Sequence, residues 1–195
     1  GAGHEIDATN LTVKAGQGVS LGSNENKLNN VYLDITGGGI LIGNGNTGNY
    51  ALNVSISSNV NGNELTNDIT IHNYNNKVDS ETGNDINVEG ALKTSGNITL
   101  INDESDVEVL SDDSIEANNV TIQAVGNIYN HNDIVAKQNV TLNSEASIYN
   151  IDDGDIVITN KGNVTMTANG IITNTGDIYV VAGDINLNGK QGVVN

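Results

Sequence analysis

The sequence predicts an all-β chain wound as a coil of stacked parallel strands, with about 20–24 residues and three short strands per coil. Three observations predict it. First, Asn119-Val120-Thr121-Ile122, Asn139-Val140-Thr141-Leu142, Asn163-Val164-Thr165-Met166 and Asp184-Ile185-Asn186-Leu187 recur after 20, 24 and 21 residues. An earlier copy, Asn97-Ile98-Thr99-Leu100, lies 22 residues upstream. Second, two more phrases keep step. Ile128-Tyr129-Asn130 returns as Ile148-Tyr149-Asn150 and loosely as Ile172-Thr173-Asn174, and Asp133-Ile134-Val135-Ala136 returns at Asp155 and Asp177. Third, Asn is the most abundant residue, Gly follows at 23, and aromatic residues make up only 3%, all of them Tyr. Asn and Gly serve tight turns, while Ile, Val and Leu suit strands.

Within Asn119–Gln138, Val120 and Ile122 alternate with polar neighbours, so one face of the strand is apolar. Ala124-Val125-Gly126 turns the chain. Ile128 points inward on a second strand, and Ile134 and Ala136 point inward on a third. Stacking coils then lines up Val120, Val140, Val164 and Ile185 in one column. Ile122, Leu142, Met166 and Leu187 form a second column, and Ile134, Ile156 and Ile178 a third. Asn130, Asn150 and Asn174 fall at one corner, where their amides can bond up and down a ladder. About nine such coils would make a rod of roughly 43 Å at the parallel-strand spacing.

Before residue 97 the repeat is less regular. Ile6-Asp7-Ala8, Leu11-Thr12-Val13 and Val19-Ser20-Leu21 are expected as three strands of one coil. Val31–Ile35 and Ile40–Ile42 begin the next, with Gly37-Gly38-Gly39 as the corner between them. Val54–Ile56 and Ile69–Ile71 continue the alternation. The polar stretch Asn73–Asp85 has no period and is expected to be a protruding loop. Residues 1–195 are therefore expected to form a single β-helical segment of a larger protein, with 97–195 its most regular part.

The net charge is −17, and the 7 basic residues, all Lys, are scattered singly. Nucleic acid and anionic membrane surfaces are poor partners for such a chain, since both select clustered Lys or Arg. No apolar run is long enough to insert in a membrane. Without Cys there is no disulfide scaffold or thiolate metal site.

Ile40-Leu41-Ile42-Gly43-Asn44-Gly45-Asn46, then Val54-Ser55-Ile56, then Asp68-Ile69-Thr70-Ile71, then the polar loop and the Asn-Val-Thr phrases, follow in a telling order. In this order the whole chain resembles the filamentous haemagglutinin-like exoproteins of bacterial two-partner secretion, and within them most the high-molecular-weight adhesins. The family's secretion-signal domain is not matched. The resemblance implies a right-handed parallel β-helix, secreted through an outer-membrane two-partner transporter and displayed on the bacterial cell surface. It further implies attachment to a host-cell surface receptor or glycan.

Candidate sites follow from the residues. Asn-x-Ser/Thr occurs at Asn10, Asn53, Asn97, Asn119, Asn139 and Asn163, with Asn and Thr on the outward face, so each is a glycosylation candidate. The adhesins resembled carry sugars at such sites. Tyr50, Tyr74, Asn75 and Asn76 suit sugar rings, through ring contact and paired hydrogen bonds. Asp152, Asp153 and Asp155 form a partial Asp-x-Asp turn that could hold calcium, although the distal Glu of a calcium loop is missing and a solvated acidic face is the simpler reading. His4, His72 and His131 share no column and read as surface turn residues. No cofactor and no catalytic activity are expected. An inert spacer, the shaft of a contact-dependent toxin-delivery protein or autotransporter, is the competing reading, and a β-helical polysaccharide-degrading enzyme is the third.

Overall fold

The computed structural model describes residues 5–35, 37–45, 51–57, 65–74, 85–110, 114–151 and 153–195. Among them every regular element is a strand, and every strand pairing is parallel. The chain winds through three sheets as a β-solenoid. The first sheet stacks nine strands, from Asp7–Ala15 to Gly192–Val194. The second stacks eight, from Val19–Leu21 to Ile185–Gly189. The third stacks five, from Leu92–Lys93 to Ile178–Ala182. Nine strands at the parallel spacing span about 38 Å.

The columns expected from the sequence are present. Val120, Val140, Val164 and Ile185 pair in register, as do Ile122, Leu142, Met166 and Leu187. Ile134, Ile156 and Ile178 pair on the third sheet. Ile98, Leu100, Ile122, Leu142 and Met166 are each 0% exposed, so their side chains fill the space between the sheets. Burying one such side chain is worth about 1.5–3 kcal/mol. One coil supplies only a handful and cannot fold alone, so stability is shared between neighbouring coils. No described Tyr is buried, and the described core is almost wholly aliphatic.

The first coils differ from the expected three strands. Asp7–Ala15 is one unbroken strand, paired with Lys27–Ile35 from Asp7↔Lys27 to Ala15↔Ile35. The corner expected between Ala8 and Leu11 is taken inside this strand, where Thr9 and Asn10 both face outward. Asn29 and Asn30 repeat the step one coil later. Pairing lapses at Thr9 and resumes at once, Ala8↔Leu28 on one side of the bend and Asn10↔Asn30 on the other, so the strand runs on without a turn. Among the described residues the third sheet begins at Leu92, with an isolated bridge between Leu65 and Thr94 beside it. The corner at Gly37–Gly39 is as expected: Gly38 has φ 79°, and a side chain there would overlap the Gln17 carbonyl.

Asparagine ladders close the corners. Asn130 Nδ2 donates to Asn150 Oδ1 at 2.7 Å, Asn150 to Asn174 at 2.8 Å, and Asn174 to Asn195 at 2.7 Å. A second inward ladder, not anticipated, runs Asn44 to Asn73 at 3.1 Å and Asn73 to Asn102 at 3.2 Å. Asn44, Asn73, Asn102, Asn130, Asn150 and Asn174 are buried and bond along these ladders, so that of their side-chain atoms Asn130 Oδ1 is the one left without a partner among the described residues. Asn73, expected to open the polar loop, is instead a strand terminus within this ladder.

Candidate ligand-binding groove

The inner ladder Asn44–Asn73–Asn102 ends where Ala124, Ser144 and Ala168 take over the same column. Small residues at this corner leave a longitudinal groove outside it. Asn102, Ala124 and Ser144 line its floor. One wall is the outward column Ile101, Gln123, Asn143 and Thr167. The other is the row just past the corner, Asp103, Val125, Glu145 and Asn169. The groove crosses four coils and encloses about 310 Å³.

Both walls continue one coil toward the N-terminus, through His72, which pairs with Ile101, and Tyr74. The His72 and Tyr74 rings meet with centroids 3.7 Å apart and planes 30° apart, so they join the walls at this end. His72 Nε2 lies 2.8 Å from Asp103 Oδ2, which fixes the imidazole against the groove wall. His72 is therefore a strand residue with a carboxylate partner and not the surface turn residue expected. Tyr74 sits at the groove's end. Tyr50, Asn75 and Asn76, the other expected sugar contacts, lie outside the described residues, as does residues 75–84 of the expected loop.

Another aromatic cluster lies on the first sheet. Tyr129 and Tyr149 stack 5.0 Å apart at 8°, with His131 beside Tyr129. Stacked face to face, these rings cover each other and offer a ligand mainly their edges. Burial, followed by Asp106, Tyr149, Glu108 and Asp85, raises the Tyr129 hydroxyl pKa, so it stays a neutral donor.

The six glycosylation candidates all face outward, but most of them are engaged. Asn53 Nδ2 donates to Asn30 at 2.8 Å, in an outer ladder that also joins Asn10 and Asn87. Asn97 donates to Asp68 at 3.1 Å, Asn119 to Asn97 at 2.8 Å, and Asn139 to Asn119 at 3.0 Å. The Oδ1 atoms of Asn119, Asn139 and Asn163 accept the backbone N–H of the matching residue one coil on. This clamp accounts physically for the repeated Asn-Val-Thr phrase. At Asn10 and Asn163 the side chain is exposed and its oxygen accepts a hydrogen bond. The nitrogen that a sugar would join makes no hydrogen bond at these two positions among the described residues.

Of the calcium candidates, Asp152 lies outside the described residues. Asp155 Oδ1 accepts the Asp177 N–H at 2.8 Å, again as a clamp between coils. Among the described residues no group of three or more His, Asp or Glu is arranged to hold a metal ion. Carboxylates do crowd here. The Asp133 carboxyl is held above its ordinary pKa of 3.8 by burial first, then by Asp155, Asp153 and Glu116. The folded chain thus binds this proton more tightly than the unfolded chain. Stability falls as pH rises from 3.8 through the raised value, and above that window the charge is a standing penalty. Asp133→Asn keeps an acceptor and removes the charge. It is expected to raise the melting temperature at neutral pH, with the gain vanishing below the ordinary carboxylate range. Thermal melts at both pH values check this; no gain at neutral pH counts against it.

The chain matches no family model, no curated protein and no solved structure. The groove walls are not among the site residues expected from the sequence, yet they carry a signal in it. They fall at the fourth and sixth residues after each phrase's leading Asn: Ile101 and Asp103 after Asn97, Gln123 and Val125 after Asn119, Asn143 and Glu145 after Asn139. Unlike the phrases themselves, these positions do not repeat one residue type.

Proposed function

We propose that the chain is a segment of a bacterial surface adhesin, a stiff rod that attaches the cell to host cells or glycans. The observation that carries this reading is the open groove along a scaffold whose columns and corner ladders are otherwise closed by mutual contacts. A solenoid gains stability coil by coil, which suits export through an outer-membrane transporter followed by folding outside. Sugars, where the native protein carries them, fit best at Asn10 and Asn163, and intact mass and peptide mapping of the native protein read them directly.

Beads coated with this chain are expected to adhere to epithelial cells or to a glycan array above the level of beads coated with an unrelated acidic protein. If both surfaces stay blank, attachment is refuted for this segment. The inert-shaft reading then gains, and it draws support from the paired outward asparagines, which leave much of the polar surface engaged with itself.

A further inference from the structure

Neighbouring Asn side chains one coil apart bond to each other along four separate lines of this molecule. The groove breaks that pattern. Gln123 and Asn143 are register partners on adjacent strands, yet neither side-chain amide makes a hydrogen bond among the described residues. The Asn169 side-chain amide, on the opposite wall, makes none either. Each amide offers both a donor and an acceptor, the pairing that vicinal hydroxyls satisfy. Ile101 lines the same trough, and Val125, 41% exposed, gives it an apolar strip against which sugar C–H faces can pack. The rise of one coil, about 4.8 Å, is close to the advance of one pyranose unit along an extended chain.

We infer that this groove binds an extended, uncharged glycan, laid along the solenoid axis with successive sugars against successive coils. The inference rests on the attachment reading and names its ligand class. Asp103 and Glu145 stand in the walls of a chain that carries 24 acidic and 7 basic residues, so sulfated, sialylated and uronic chains are repelled.

Calorimetric titration of the 195-residue chain tests this, with neutral gluco- and N-acetylglucosamine oligomers of increasing length against heparin-derived and sialylated oligomers. Neutral oligomers are expected to bind, with affinity rising until the chain spans the groove and then levelling. The double variant Gln123→Ala, Asn143→Ala is expected to weaken binding about tenfold, as lost hydrogen bonds do, with its melting temperature unchanged because neither side-chain amide makes a hydrogen bond among the described residues. Absence of neutral-oligomer binding, binding that the variant leaves intact, or preference for anionic oligomers would each overturn the inference. Bead adhesion separates it from the broader reading. Cell adhesion without oligomer binding sinks the groove and leaves attachment standing; oligomer binding without cell adhesion keeps the groove and removes epithelial cells as the target.

Discussion

Asn150→Ala is expected to cost the folded chain about 4 kcal/mol, since it orphans two buried groups at about 1–3 kcal/mol each and removes the bonds they made. Asn150 is 0% exposed, accepts from Asn130 at 2.7 Å and donates to Asn174 at 2.8 Å. Its removal leaves Asn130 Nδ2 and Asn174 Oδ1 without partners, in a place water reaches poorly. Exchanging the ladder as a unit should be far milder. Val109 already fills this column one coil below Asn130, so the backbone there accepts a β-branched apolar side chain. The triple change of Asn130, Asn150 and Asn174 to Val is therefore expected to cost less than the single Asn150→Ala. Urea unfolding of the two variants decides it. A triple variant less stable than the single would show that the ladder contributes more than the satisfaction of its own members. Asn130 Oδ1 has no partner even in the intact ladder, consistent with its position directly above Val109.

Leu142→Ala is expected to cost about 3 kcal/mol through lost burial and the cavity left behind. Leu142 is 0% exposed and lies between Ile122 and Met166 in an aliphatic column. The backbone on both sides is held by parallel pairing, which limits collapse into the void. Met166→Leu, nearly equal in volume, should stay within about 1.5 kcal/mol. The same urea titrations measure both, and a Leu142→Ala cost below that of Met166→Leu would mean that the column closes over cavities.

The C-terminal coils were legible because their lengths, 20 to 24 residues, vary little and each strand repeats its inward residues. Asn130, Asn150 and Asn174 could be placed on one corner for the same reason. The ladder Asn44–Asn73–Asn102 was equally periodic but at another period. Its members are 29 residues apart, as are Ile40, Ile69 and Ile98, which pair in register. Reading the chain at a single period near 21 hides this series. Asp7–Ala15 misled for a different reason. A corner normally announces itself by a turn residue, and here two successive outward residues inside a strand make it.

The sequence by itself determined the solenoid and its columns. Inward residues recur once per coil, and an offset of one coil leaves a single register that keeps every apolar side chain inside. Only the tertiary structure decided which outward amides are engaged. Asn119 and Gln123 share one strand and one face, yet Asn119 is held by its neighbours in the next coils while Gln123 faces an open trough. Hydrogen bonding between coils depends on side-chain reach and direction across a corner. That corner is set by packing of the small residues Ala124 and Ser144 beneath it, which no spacing along the chain records.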